Sequence, residues 1–265
     1  MIDSRVTKAK ILYVGHSWVT VLSLSAGSSF AYDLRGLNVE NGADRIVEHW
    51  RRDSRFDITH MPGWDVLSKF PESLDDLGRY SVIILTGVDS DSLVLYPYER
   101  SMRAPMGPNR LQLIREYVRR GGSLWMIGGY FSFTGRHSAA NFHRTPVEEA
   151  LPVYCLPEFD DRVEAPEGVT IKVQMPDHEI MRPIDWSTSP MFTGYNRVEA
   201  KNGSRVLAVV KETGDPPLVV WEFGRGRAMA FTSDIAPHWG VGFQQWVQYE
   251  KFCTSMLGWL LPQVH

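Results

Sequence analysis

The chain has 265 residues, 43% of them hydrophobic, and a formal net charge of −3. That length buries a sizeable core near the upper size of one domain, so a single domain over 1–265 is expected, regular through 135 and elaborated from 136. The near-neutral charge excludes a sequence-wide pull toward nucleic acid or anionic membrane. No apolar run reaches spanning length or follows a signal-peptide pattern, so the expectation is a cytoplasmic protein with neither nucleic-acid nor membrane partners.

Lys10 to Gly15 is a compact apolar run that reads as a first central strand, followed by a loop at Gly15-His16-Ser17-Trp18. Gly42 to Asp53 carries Ala43, Ile46, Val47 and Trp50 at helical spacing, with Arg51 and Arg52 at the end where cations suit the helix dipole. This is the first crossover helix. Phe56 to Met61 alternates as a shorter strand near the sheet edge, ended by Pro62-Gly63, and a short helix is predicted around Ser73 to Leu77. Tyr80 to Gly87 is a buried strand leading into Val88-Asp89-Ser90-Asp91-Ser92. Pro108 and Gly121-Gly122 bracket a helix over Asn109 to Arg120. Next comes Ser123 to Ile127, apolar from Leu124 on, which stops on Gly128-Gly129 and turns into Tyr130. A glycine pair at the carboxyl end of a parallel strand allows positive φ and close backbone approach, as an open α/β sheet needs where it holds a ligand.

From Arg136 the rhythm changes. A short helix over Thr145 to Leu151 is followed by Pro152, Pro157 and Pro166, and strands are predicted at Val169–Met175, Arg205–Lys211, Leu218–Phe223 and Arg227–Thr232, the last two as a hairpin. One final helix is expected from Phe243 to Leu261, with Trp246, Tyr249, Phe252, Cys253, Met256, Leu257 and Leu260 on its apolar side. Alternation of strand and helix in the first half argues for an α/β fold around a mainly parallel sheet, with β-rich additions in the second half and a C-terminal helix.

Three stretches carry a family resemblance: Gly121 to Tyr130, Pro176 to Arg182, and above all Gly224 to Gly240, which includes Thr232-Ser233-Asp234-Ile235-Ala236-Pro237-His238-Trp239. Together they resemble the class I glutamine amidotransferase-like proteins and their ThuA-like relatives over nearly the whole chain. The resemblance implies a flavodoxin-like sandwich, in which active amidotransferases place a nucleophilic cysteine on a strand-to-helix elbow with a downstream histidine and glutamate. Here the elbow is Ile127-Gly128-Gly129-Tyr130-Phe131, without cysteine. Forming a thioester requires a thiolate, so glutaminase chemistry is not expected. Cys155 and Cys253, the only two cysteines, are far apart and read as reduced structural thiols.

Several polar loops should open on one crevice at the strand ends. The candidate ligand-binding residues are Gly15, His16, Ser17, Asp89, Gly128, Gly129, Tyr130, Asp234, His238 and Trp239, with Trp239 expected to stack on a ligand. His16, Asp89, His137 and His238 are candidates for acid–base catalysis in an alternative hydrolase or isomerase, although no Gly-x-Ser-x-Gly elbow activates Ser17. Asp89, Asp91, His137, His143, Asp234 and His238 offer ligand chemistry for a divalent ion but lack metal-site spacing, so neither metal nor cofactor is expected. A small polar molecule is the expected partner, and the resemblance to ThuA-like proteins, with the aromatic content, implies a sugar-like one. The aromatic content also fits a subunit interface, so a homo-oligomer is expected, and a purely structural assembly protein is a third reading.

Overall fold

The computed structural model describes residues 8–25, 32–97 and 107–262. Its strands in chain order are β1 Ala9–Gly15, β2 Ser17–Ser25, β3 Tyr32–Asn41, β4 Phe56–Met61, β5 Val82–Thr86, β6 Ser123–Ile127, β7 Val153–Cys155, β8 Arg162–Val169, β9 Ile171–Val173, β10 Phe192–Asn196, β11 Val198–Ala200, β12 Arg205–Val210, β13 Leu218–Phe223 and β14 Gly226–Phe231. Eight of them form the main sheet in the order β4-β1-β5-β6-β14-β13-β12-β9. The pairs β4–β1, β1–β5, β5–β6 and β6–β14 are parallel, and the sheet turns antiparallel from β14 onward.

The unbroken apolar runs follow from cover on both faces. Ile11 and Tyr13 of β1, Val82 and Ile84 of β5, and Trp125 and Ile127 of β6 face the helix Asp44–Arg52, through Ile46, Val47 and Trp50, and the helix Tyr249–Leu260. Their alternates Leu12, Val14, Ile83, Leu85, Leu124 and Met126 meet Val66, Leu77, Leu93 and the helix Arg110–Arg119. Each fully buried aliphatic or aromatic side chain contributes about 1.5–3 kcal/mol, so the central strands dominate the stability of the α/β layer. Arg110, wholly buried, holds the second layer together: its guanidinium donates to the carbonyls of Leu93 at 2.7 Å, Val66 and Leu67 at 3.2 Å, Ser92 at 3.3 Å, and Leu95. Those carbonyls close the helices Gly63–Lys69 and Ser90–Val94, where a cation complements the helix dipole.

Three expectations are corrected. The segment after Gly15 is no loop: only His16 lies outside strand, and Ser17–Ser25 pairs antiparallel with Tyr32–Asn41 as a hairpin whose base is closed by Gly42 N donating to His16 O at 2.7 Å. The C-terminal helix is two pieces, Val241–Gln244 and Tyr249–Leu260. Trp246 is pinned by Trp186 at 5.6 Å between ring centroids and donates to Thr188 Oγ1 at 2.9 Å, while the Tyr249 hydroxyl donates to Ile235 O at 2.8 Å. The single strand expected over Val169–Met175 is divided between β8, paired with β10, and β9 at the edge of the main sheet. Pro166 sits inside β8, where the β10 register jumps from Phe192↔Val169 to Gly194↔Glu164, a bulge that tolerates a residue without N–H.

The registers Gly15↔Thr86, Thr86↔Ile127 and Ile127↔Phe231 align four parallel strand ends in one row. The loops that follow them therefore leave the sheet on the same side, and the functional candidates lie there.

Candidate functional site

A cavity of about 470 Å³ opens above this row. Just before its first lining residue comes Gly15, whose φ of +97° and carbonyl contact suit only glycine: a Cβ would sit 1.7 Å from Thr86 O. The following residue, His16, also has positive φ, 49°, and is buried. Its Nδ1 meets the Tyr13 hydroxyl, and its Nε2 lies 2.7 Å from Thr86 Oγ1 and 2.9 Å from Asp234 Oδ1. Burial, then the charge of Asp234, pushes the Tyr13 phenol well above its usual pKa, so Tyr13 keeps its proton. Tyr13, Thr86 and Asp234 thus hold both ring nitrogens of His16.

Asp234 follows β14. Its Oδ1 also accepts from Ala236 N at 2.8 Å, so that oxygen is held from two sides. The carboxylate lines the cavity with its side chain 9% exposed, and Oδ2 accepts no hydrogen bond from the described residues.

The glycine pair forms the neighbouring surface, and its two members differ. Gly128 is wedged into the strand crossing: its N–H donates to Phe231 O at 2.8 Å and Ser233 O at 3.0 Å, and a Cβ would lie 1.9 Å from Thr232 O. Gly129 has φ +143°, and a Cβ there would meet only Asp234 Oδ2 at 3.9 Å and Ser132 Oγ at 4.0 Å. Position 129 thus points into the cavity beside the free carboxylate oxygen. The Gly129 N–H donates to Asn196 Oδ1 at 2.9 Å, and Asn196 Nδ2 donates to Asp161 Oδ1 at 2.8 Å. Asp161 also accepts from the N–H groups of Thr134 and Gly135, both at 2.9 Å, yet burial outweighs these bonds and pushes its carboxyl up to about 6.

The walls are aromatic. Tyr130 and His238 meet edge to face with ring centroids 4.6 Å apart, and the Tyr130 hydroxyl lies 3.0 Å from His238 Nε2. Burial and the Glu164 carboxylate raise the Tyr130 pKa, and the Arg162 guanidinium lies 4.3 Å from its ring centroid. Arg162 is itself paired with Asp160 at 2.7 Å and Glu164 at 3.2 Å. Trp18, Phe131 and Pro237 complete the apolar lining. At the rim, Asp89 spends both oxygens on capping the helix Ser90–Val94, with Ser92 N at 2.8 Å and Ser92 Oγ at 2.9 Å. Ser17 Oγ accepts from Gly63 N at 2.7 Å, a turn-fixing role.

His16, Ser17, Asp89, Gly128, Gly129, Tyr130, Asp234 and His238 are thus gathered in one lining. Three candidates lie outside it. Gly15 supports the floor from beneath. His137 is exposed and stacks on Phe159 with centroids 5.2 Å apart. Trp239 is buried rather than offered to a ligand: its indole fills the space left by Gly194, where a Cβ would come within 2.2 Å of Nε1, and it donates to Glu164 Oε2 at 3.0 Å. Residue-by-residue reading missed Tyr13, Thr86, Asn196 and Asp161, because each sits in an apolar or turn context with no motif of its own. Polar groups in buried strands, and in Asp161's case just before one, were the only signal. Among the described residues no three His, Cys, Asp or Glu side chains are grouped to hold a metal ion. Cys155 and Cys253 are both buried and absent from the lining, and burial pushes both thiols well up.

Among the described residues no helix is long and apolar enough to cross a membrane. No curated protein matches this chain. Among solved structures it is similar to cytoplasmic protein STM3548 from Salmonella typhimurium, at 35% identity and TM-score 0.86, covering 96% of this chain and 99% of that one. Cytoplasmic protein STM1381 from Salmonella typhimurium LT2 is alike at 36% identity and TM-score 0.86, covering 95% and 99%. A ThuA-like protein from Bacteroides uniformis ATCC 8492 shares the fold at 13% identity and TM-score 0.56, over 98% of this chain and 94% of that one. The model of the family described as "Putative glutamine amidotransferase" matches residues 10–262, and the chain belongs to that amidotransferase-like family.

Proposed function

We propose that this chain is a cytoplasmic, amidotransferase-like binding domain without glutaminase chemistry, which takes a small polar metabolite in the cavity at the strand ends. The observation that carries this reading is the pairing of an elbow without a thiol and a carboxylate oxygen, Asp234 Oδ2, in the cavity lining with no donor among the described residues. Gly128 cannot accept any side chain, and both cysteines are sealed in the core with raised pKa, so no thiolate is available for acyl transfer. The aromatic walls supply apolar contact for one face of the ligand, and Asp234 takes a donor from the other. Cytoplasmic placement follows the two Salmonella relatives, both described as cytoplasmic proteins.

A second reading is favoured by the chain Tyr13–His16–Asp234. Asp234 Oδ2 in contact with a substrate would accept a proton, and His16, held by Tyr13, would stabilise the carboxylate between turnovers, as an isomerase or hydrolase requires. Both readings take 1–265 as one domain, and both are compatible with a homo-oligomer.

The test is a pair of measurements on the purified chain: ammonia release from glutamine, and thermal shift against sugars, nucleotides and amines. No glutamine turnover together with a saturable rise in melting temperature is expected. Clear glutamine turnover would refute the proposal.

A further inference from the structure

The cavity's charge narrows the class of ligand. We propose that its ligand carries a protonated amine, seated on Asp234 Oδ2 and backed by the aromatic walls; this deepens the binding reading above and rests on it. Asp234 and Asp89 are the lining's carboxylates, and among the described lining residues there is no lysine or arginine. The nearest guanidiniums to Tyr130 belong to Arg162, committed to Asp160 and Glu164, and to Arg136, 5.9 Å from the ring centroid, and neither lines the cavity.

His16 does not occupy the oxygen that faces the cavity: its Nε2 and the Ala236 N–H both meet Oδ1, which leaves Oδ2 to the ligand. The Asp234 side chain, 9% exposed, keeps its last contact with water through the cavity, and a ligand that fills the cavity removes it. A hydroxyl can donate to Oδ2 but leaves the buried charge unbalanced, and an anion would add repulsion; an ammonium both donates to Oδ2 and neutralises it. Trp18, Tyr130 and Phe131 add ring surfaces, which attract cations through their quadrupoles and accept the ligand's apolar body.

The experiment compares three probes of one shape, benzylamine, benzyl alcohol and benzoate, by isothermal titration against the wild-type chain and Asp234→Asn. Asn can retain both Oδ1 bonds, to His16 and Ala236, while removing the charge. Wild type is expected to bind benzylamine at least about tenfold more tightly than benzyl alcohol and to show no benzoate binding, with Asp234→Asn bringing amine and alcohol within about threefold. Equal or tighter binding of the alcohol or benzoate overturns the amine assignment and leaves the cavity as a binding site. An amine preference that survives in a folded Asp234→Asn overturns the role of Asp234. If Asp234→Asn does not fold, Trp18→Ala takes its place: loss of benzylamine affinity locates the amine in this cavity, and unchanged affinity overturns that location. No binding of any probe at millimolar concentration overturns both the amine assignment and the binding reading.

Discussion

Nε2 of His16 lies 2.9 Å from Oδ1 of Asp234, and the two residues come from opposite ends of the chain, after β1 and after β14. The contact exists because β5 and β6 place those strand ends in one row, and because Tyr13 holds the other side of the imidazole. Tyr13→Phe should remove the hydroxyl that meets Nδ1, and Asp234→Asn the charge beside Nε2. Each should cost about 1–2 kcal/mol in urea unfolding. Because both act through one imidazole, the double variant should depart from additivity by about 0.5–1 kcal/mol, and strict additivity would argue against a shared network.

Gly128 and Gly129 should respond differently to the same substitution. Gly128→Ala drives a Cβ into the Thr232 carbonyl at 1.9 Å, a backbone contact that cannot swing away, so a loss of more than about 3 kcal/mol or failure to fold is expected. Gly129→Ala meets no atom closer than 3.9 Å and suffers only its φ of +143°. It should cost about 1–2 kcal/mol and weaken ligand binding, as its methyl group lies beside Asp234 Oδ2. Paired melting curves and titrations read the contrast.

Asp161 should leave a pH signature. Its folded pKa is raised to about 6 from an ordinary 3.8, mainly by burial, so in acid the folded state holds this proton more tightly than the unfolded chain does. This group's contribution is therefore greatest below about pH 4 and declines as pH rises through 6, by at most about 3 kcal/mol. Urea midpoints measured from pH 4 to 7 should fall more steeply for wild type than for Asp161→Asn. Parallel profiles would contradict the assignment.

Arg110 should not be replaceable by lysine. One planar guanidinium serves carbonyls from residues 66, 67, 92, 93 and 95, while an ammonium has three donors and no fork. Arg110→Lys should lower stability by about 2–3 kcal/mol, visible as a drop in melting temperature, and leave the strand-end cavity's ligand preference unchanged.

Much of this architecture was legible in the amino acids. The unbroken apolar runs at 11–14, 82–85 and 124–127, the helices between them and the glycine stop at 128–129 define the parallel layer, because a strand covered on both faces needs apolar side chains at successive positions. The same pattern put His16, Gly128 and Asp234 at strand ends, and the motif from Gly224 to Gly240 pointed to the family. Tertiary structure alone decided which polar groups face one another. Trp239 looked like a stacking surface until Gly194, 45 residues earlier, made room to bury it, and Asp89 looked like a catalytic acid until Ser92 took both its oxygens. Local sequence sets the period and ends of each element, whereas the partner of a side chain at a strand end depends on strand order and register, which are settled by packing between residues remote in the chain.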